Sequence, residues 1–210
     1  MTQSHRTISL GFTEQEFPPG VHVCQIFSDD KERQESLLKF ILSGLESKER
    51  TSCFSNKATE PAVKEFLGNY RISCEEAIDS GALTLAGTNA IYFKNERFDP
   101  ERMLSVLSKY YDDSVARGYT AARVIGEMTP EVQHVTGGNR LLEYEAKVSI
   151  LLRDHPVTAV CQYDARSFDG AVIMDILKVH PFMVIRGSVV RNPFFIKPEK
   201  FLDQLNVEHS

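Results

Sequence analysis

Short β-branched and aromatic runs alternate along this chain with longer stretches whose apolar positions recur every three or four residues, the alternation expected of strands and amphipathic helices. The first run, VHVCQIF (21–27), follows the Pro18-Pro19-Gly20 turn, and an apolar helix LLKFILSGL (37–45) comes after a Ser/Asp-rich segment. TSCFSN (51–56) reads as a second strand, and residues 60–70 as a helix with Pro61 in its first turn, where a missing N–H does no harm. Residues 81–93 hold a third strand and its exit loop. Asp99-Pro100 starts a helix that runs to Arg117, with Gly118 just past its end. AARVIGEM (121–128) is the fourth strand, residues 129–138 a Pro/Gly-containing loop expected to move, and LLEYEAKVSILL (141–152) an amphipathic helix. TAVCQYD (158–164) gives a fifth strand, residues 168–179 a helix, residues 183–190 a sixth strand, and residues 198–205 a short terminal helix. Strands with interposed helices predict an α/β fold: a RecA-like or Rossmann-like three-layer sandwich around a mostly parallel central sheet.

Composition narrows the function classes. Among 210 residues, 24 Lys and Arg stand against 29 Asp and Glu, a net charge of −5, which speaks against direct nucleic-acid binding by this chain. No apolar run is long enough to span a membrane and the first residues lack the apolar stretch of a signal peptide, so a cytoplasmic protein is expected. The four cysteines are scattered without a CxxC pattern and read as buried thiols. His22 and Cys24 can share a strand face, but without a second pair they do not make a metal site, and no metal or cofactor is expected. No linker or repeat divides the chain. It reads as an N-terminal extension (1–17), one domain (18–203) and a C-terminal tail (204–210).

In open α/β sheets, ligands bind beyond the carboxyl ends of the strands. The first strand-to-helix turn there reads FSDDKERQES, which has no glycine to let backbone amides close on a phosphate and carries acidic residues that repel one. No phosphate-loop or dinucleotide fingerprint occurs elsewhere in the chain. The fourth strand ends at Glu127, and Glu143 and Glu145 follow on the next helix. Glu127 with one of these could do acid/base work or hold a cation, or an Arg–Glu network could simply fix the packing. Arg123, inside an apolar strand, needs a buried partner, for which Glu143 or Glu145 is the natural candidate. Tyr163 and Asp164 at the end of the fifth strand suit a small polar pocket. His180, before Pro181, reads either as a catalytic base or as a helix cap, where a protonated imidazole would favour the dipole.

The succession PGVHVCQIF, GALTL, FDPERML, GYTAARVIGEM, LLEYEAKV, VCQYD and HPFMVIRG with NPFF resembles the MEDS domain (methanogen/methylotroph, DcmR sensory domain) over about residues 18–203. That resemblance implies a degenerate KaiC/RecA-like fold without catalytic residues. It implies a role in signal transduction or transcription regulation through binding of small hydrocarbon derivatives such as halogenated or methylated compounds. The positions it carries over for ligand binding are His22, Gln25, Arg123, Glu127, Glu143, Glu145, Tyr163, Asp164, His180 and Arg186. It also implies a regulatory protein partner, a kinase or a transcription factor, with self-association as a further option. Two rival readings stand beside it: a hydrolase or nucleotide-using enzyme built on Glu127, Glu143 and Glu145, and a protein-interaction regulator that needs no small ligand.

Overall fold

The computed structural model describes residues 6–208. A two-stranded antiparallel ladder, β1 (Ile8–Ser9) with β2 (Glu16–Phe17), precedes β3 (His22–Phe27) and α1 (Asp30–Glu46). Then come β4 (Arg50–Phe54), α2 (Glu60–Gly68), α3 (Cys74–Asp79), β5 (Leu83–Ala86), α4 (Thr88–Tyr92) and a second small ladder, β6 (Phe93–Lys94) with β7 (Arg97–Phe98). The remainder is α5 (Pro100–Ala116), β8 (Ala122–Glu127), α6 (Leu141–Leu151), β9 (Val157–Asp164), α7 (Gly170–Val179), β10 (Phe182–Ile185), β11 (Ser188–Arg191) and α8 (Pro198–Glu208).

Seven strands form the central sheet in the order β11-β10-β3-β9-β8-β4-β5, all parallel except the edge strand β11. Parallel neighbours force each connection over a face of the sheet, and strands covered on both faces are largely apolar. One face packs Val23, Cys53, Ile125 and Val160 against Leu37, Phe40 and Ile41 of α1 and against Val63 and Leu67 of α2. The other packs Cys24, Ala122, Ala159 and Tyr163 against Met103 of α5, Tyr144 and Val148 of α6 and Ile176 of α7. The result is the three-layer α/β sandwich that the alternating pattern predicts. Ile8, Leu10 and Phe17 belong to the first core, while Phe201 of α8 closes a third small cluster with Ala146 and Val179.

Aspartates start α1, α5 and α7. Asp29 accepts from the amides of Lys31 and Glu32, Asp99 from Arg102 and Asp169 from Ala171, which satisfies donors that the first turn leaves free. With Asp29 as cap, α1 begins well before the apolar stretch starting at Leu37, its first two turns being polar. The expected sixth strand is a hairpin instead. Arg186 (φ 49) and Gly187 (φ 75) make a two-residue turn between β10 and β11, which fits the right-handed twist of the ladder. The loop after β8 holds two short 3-10 turns, Pro130–His134 and Gly138–Arg140, and its Val132 is fully buried. Gly137 and Gly138 are there for close approach, since a Cβ would run into the carbonyls of Phe98 and Val132 respectively. Gly44 does the same on the first face, where a Cβ would run into Oγ1 of Thr51 and lie 2.7 Å from Cδ of Arg123.

Candidate functional site

Strand parity decides which polar side chains meet. Successive residues of a strand face opposite sides, and Cys24 of β3 is paired in register with Cys161 of β9, so His22 and Cys24 share a face with Cys161 and Tyr163. Gln25, Arg123, Glu127 and Gln162 face the α1 side.

On the α6/α7 face, Glu145 is completely buried at the centre of a polar cluster. Its Oε2 lies 3.3 Å from His22 Nε2, 3.5 Å from His180 Nε2 and 3.8 Å from Cys161 Sγ. The Tyr163 hydroxyl donates to its Oε1. His22 Nδ1 is 2.9 Å from Ser149 Oγ, and His180 Nδ1 is 2.8 Å from the carbonyl of Ile176. Burial lowers the pKa of both histidines, to about 3 for His22 and about 4 for His180, so both are neutral near pH 7. His180 does cap α7, but as a neutral ring. Burial raises Glu145, opposed by His180, Tyr163 and Cys161, and it pushes the Tyr163 phenol and the Cys161 thiol well up.

Arg123, by contrast, does not meet α6. Its Nε and Nη2 each stand 2.6 Å from Glu49 Oε2, and its Nη1 donates to the Phe40 carbonyl at 3.2 Å. Being on the α1 face, it takes its partner from the turn after α1, not from Glu143 or Glu145. Gln25 stays on this face too, donating to Ser36 and accepting from Gln162.

At the carboxyl edge, Glu127 joins neither glutamate of α6. It accepts from Ser55 at 2.8 Å and pairs with Lys57 at 3.3 Å and Arg33 at 3.8 Å. Lys57 also reaches Asp164 and Asp30, and Arg166 binds both carboxylates. A polar pocket of about 220 Å³ opens here between Asn56, Lys57, Thr88, Glu127 and Asp164. The Arg166 hydrogen bond, then Lys57, hold Asp164 well below the usual carboxylate range, against the effect of burial. Glu143 lies on the outer side of α6, paired with Arg140 and Lys147, and Arg186 sits exposed on the β10–β11 turn. The ten positions carried over from the resemblance therefore occupy separate places. Four of them, His22, Glu145, Tyr163 and His180, meet in one cluster, and Glu127 and Asp164 meet at the edge pocket.

Sequence reasoning missed two features. Lys57 and Arg166, which tie the edge carboxylates together, follow strand ends, where a cation is a usable signal. An apolar cavity of about 70 Å³ lies between the sheet and α5, lined by Phe54, Met103, Leu107, Val124, Ala159 and Cys161. No local pattern announces a gap in a core. Cys161 stands in the wall of this cavity and also touches the Glu145 cluster.

At the start of α1, where a phosphate loop would sit, the Asp29 carboxylate itself takes the amides of Lys31 and Glu32. Among the described residues no helix is long and apolar enough to cross a membrane.

Three comparisons bear on this geometry. The model of the MEDS family (MEthanogen/methylotroph, DcmR Sensory domain) matches residues 21–181. A transcriptional repressor, DcmR of Methylorubrum extorquens, is 26% identical over 163 residues, which are 76% of this chain and 57% of the repressor, so the match spans little more than half of that relative. Among solved structures, the flagellar accessory protein FlaH of Methanocaldococcus jannaschii superposes with a TM-score of 0.62 at 11% identity, covering 87% of this chain and 83% of that one. A KaiC-like protein of Pyrococcus horikoshii gives 0.55 at 14% identity, over 85% of this chain and 79% of that one. These two support the KaiC/RecA-like fold alone.

Proposed function

This chain belongs to the MEDS family of sensory domains, and from that premise we propose that residues 18–203 act as a cytoplasmic, non-enzymatic sensory unit that takes up a small apolar organic molecule and passes the change to a regulatory partner. The observation that carries this reading is the apolar cavity between the sheet and α5. Its volume suits a solute of a few heavy atoms, such as a halogenated or methylated one-carbon compound, and a dry apolar gap in a core is the kind that small hydrocarbons fill. The occupied Asp29 cap weighs against nucleotide use, since the amides that would hold a phosphate already have a partner. A ligand shifts a conformational equilibrium only by its difference in affinity for two states. The cavity roof, α5, is the element whose position such a ligand would bias.

Thermal denaturation with a panel of small halogenated and methylated compounds, and with MgATP, tests this. A compound present at 100 times its Kd adds about 2.7 kcal/mol, which raises the melting temperature by about 5–10 °C for a chain of this size. Val124→Phe, which fills the cavity, should abolish the shift while the protein stays folded. A shift with MgATP and none with the organic panel would overturn the reading and favour the polar edge pocket at Lys57, Glu127 and Asp164.

A further inference from the structure

The buried cluster on the α6/α7 face has the donor set, spacing and supporting bonds of a metal centre. Nε2 of His22, Nε2 of His180, Sγ of Cys161 and a carboxylate oxygen of Glu145 all lie within 4.8 Å of one another. Four rigid elements deliver them: β3, the end of α7, β9 and α6. A tetrahedral zinc ion sits about 2.0–2.2 Å from nitrogen and oxygen and about 2.3 Å from sulfur, so neighbouring donors of such a site stand about 3.3–3.6 Å apart. Four of the six separations are 3.3 Å for His22–Glu145, 3.5 Å for His180–Glu145, 3.5 Å for His22–Cys161 and 3.8 Å for Cys161–Glu145, and the two between His180 and the donors of His22 and Cys161 stay within 4.8 Å.

The supporting bonds point the same way. A carbonyl can only accept, so His180 Nδ1 carries the proton it donates to Ile176, and a neutral ring then turns the bare lone pair of Nε2 toward Glu145. That Nε2 is buried and has no hydrogen-bond partner. Two acceptors facing each other out of water repel, and a cation between them removes the conflict. Ser149 Oγ engages Nδ1 of His22, and Tyr163 engages the other oxygen of Glu145. All three contacts hold the ligand atoms aimed inward, as the outer partners of metal ligands do. One thiolate and one carboxylate would also balance a dication, leaving a neutral site in the core.

We propose that His22, Glu145, Cys161 and His180 form a closed tetrahedral site for a divalent transition metal of the zinc class. Nitrogen with thiolate donors selects such an ion over magnesium or calcium, which take oxygen. Loading would release the thiol proton, and a carboxyl proton where one is present. This site stands on its own donors and does not depend on what fills the apolar cavity.

The test is metal analysis of the full chain, followed by spectroscopy of protein produced with cobalt(II) in place of zinc. The expected results are about one equivalent of metal retained through purification, visible bands of tetrahedral intensity, and a near-ultraviolet thiolate-to-cobalt band. Cys161→Ser should lose the thiolate band while Cys24→Ser, two residues along β3 from His22, keeps it. Ser149→Ala should leave the band positions in place and weaken metal affinity about 10–100-fold. Absence of stoichiometric metal together with featureless cobalt spectra of the folded wild-type protein would overturn the proposal, and so would a thiolate band that survives Cys161→Ser.

Discussion

Among the described residues, Glu49 and Glu145 are fully buried on opposite faces of one sheet, and they are held in opposite ways. Glu49 meets the guanidinium of Arg123, which also donates to the Phe40 carbonyl, and its other oxygen lies 3.5 Å from the Arg6 guanidinium. Glu145 meets two histidines, a thiol and a phenol, each of which can change its proton count. The first arrangement is a closed pair that pins α1 and β4 to β8. The second is an adaptable one that could exchange protons for another cation. A buried carboxylate alone is thus a poor guide to function; the chemistry of its partners separates a fastener from a candidate site.

The largest effect should come from breaking the closed pair. Arg123→Met leaves Glu49 buried without its nearer partner, with only Arg6 at 3.5 Å beside it, and should cost about 3–5 kcal/mol in urea denaturation, with much of the loss recovered in the double variant Glu49→Leu/Arg123→Met. A cost below about 1 kcal/mol would erase the distinction between the two faces. Tyr163→Phe removes one donor from Glu145 and should cost about 1–3 kcal/mol by the same assay.

A third carboxylate, Asp164 at the wet edge, sharpens the contrast through pH. Arg166 and Lys57 depress its folded pKa below the ordinary value of 3.8. Its contribution is therefore complete above about pH 4 and lost as the pH falls through the folded pKa. Asp164→Asn should cost about 1–2 kcal/mol at pH 7, and its stability curve should converge with that of the wild type in acid. The smallest effect belongs to Glu143, two residues from Glu145 but on the outside of α6. Glu143→Ala should change stability by about 0.2–1 kcal/mol, less in high salt.

The layered α/β architecture was legible because period two and period 3.6 are strong signals over long elements. The β10–β11 turn was not, since Arg-Gly lacks the Asn-Gly or Asp-Gly pattern that marks two-residue hairpins. Arg123 announced that it needed a partner, but Glu49 lies 74 residues earlier in a turn that no periodicity singles out. Parity placed His22 and Cys161 on common ground only once β3 and β9 were known to be neighbours. For Glu143 and Glu145, helical spacing told that one must turn inward and could not tell which.

Gly44 binds the closed pair into an evolutionary unit. Because bare backbone of α1 lies directly over both Thr51 and Arg123, position 44 can gain a side chain only if both neighbours give way, and losing the arginine leaves Glu49 with Arg6 alone. Each single step from the present set therefore costs stability before the next can restore it. Gly44, Glu49, Thr51 and Arg123 are expected to be inherited together or replaced together across related lineages.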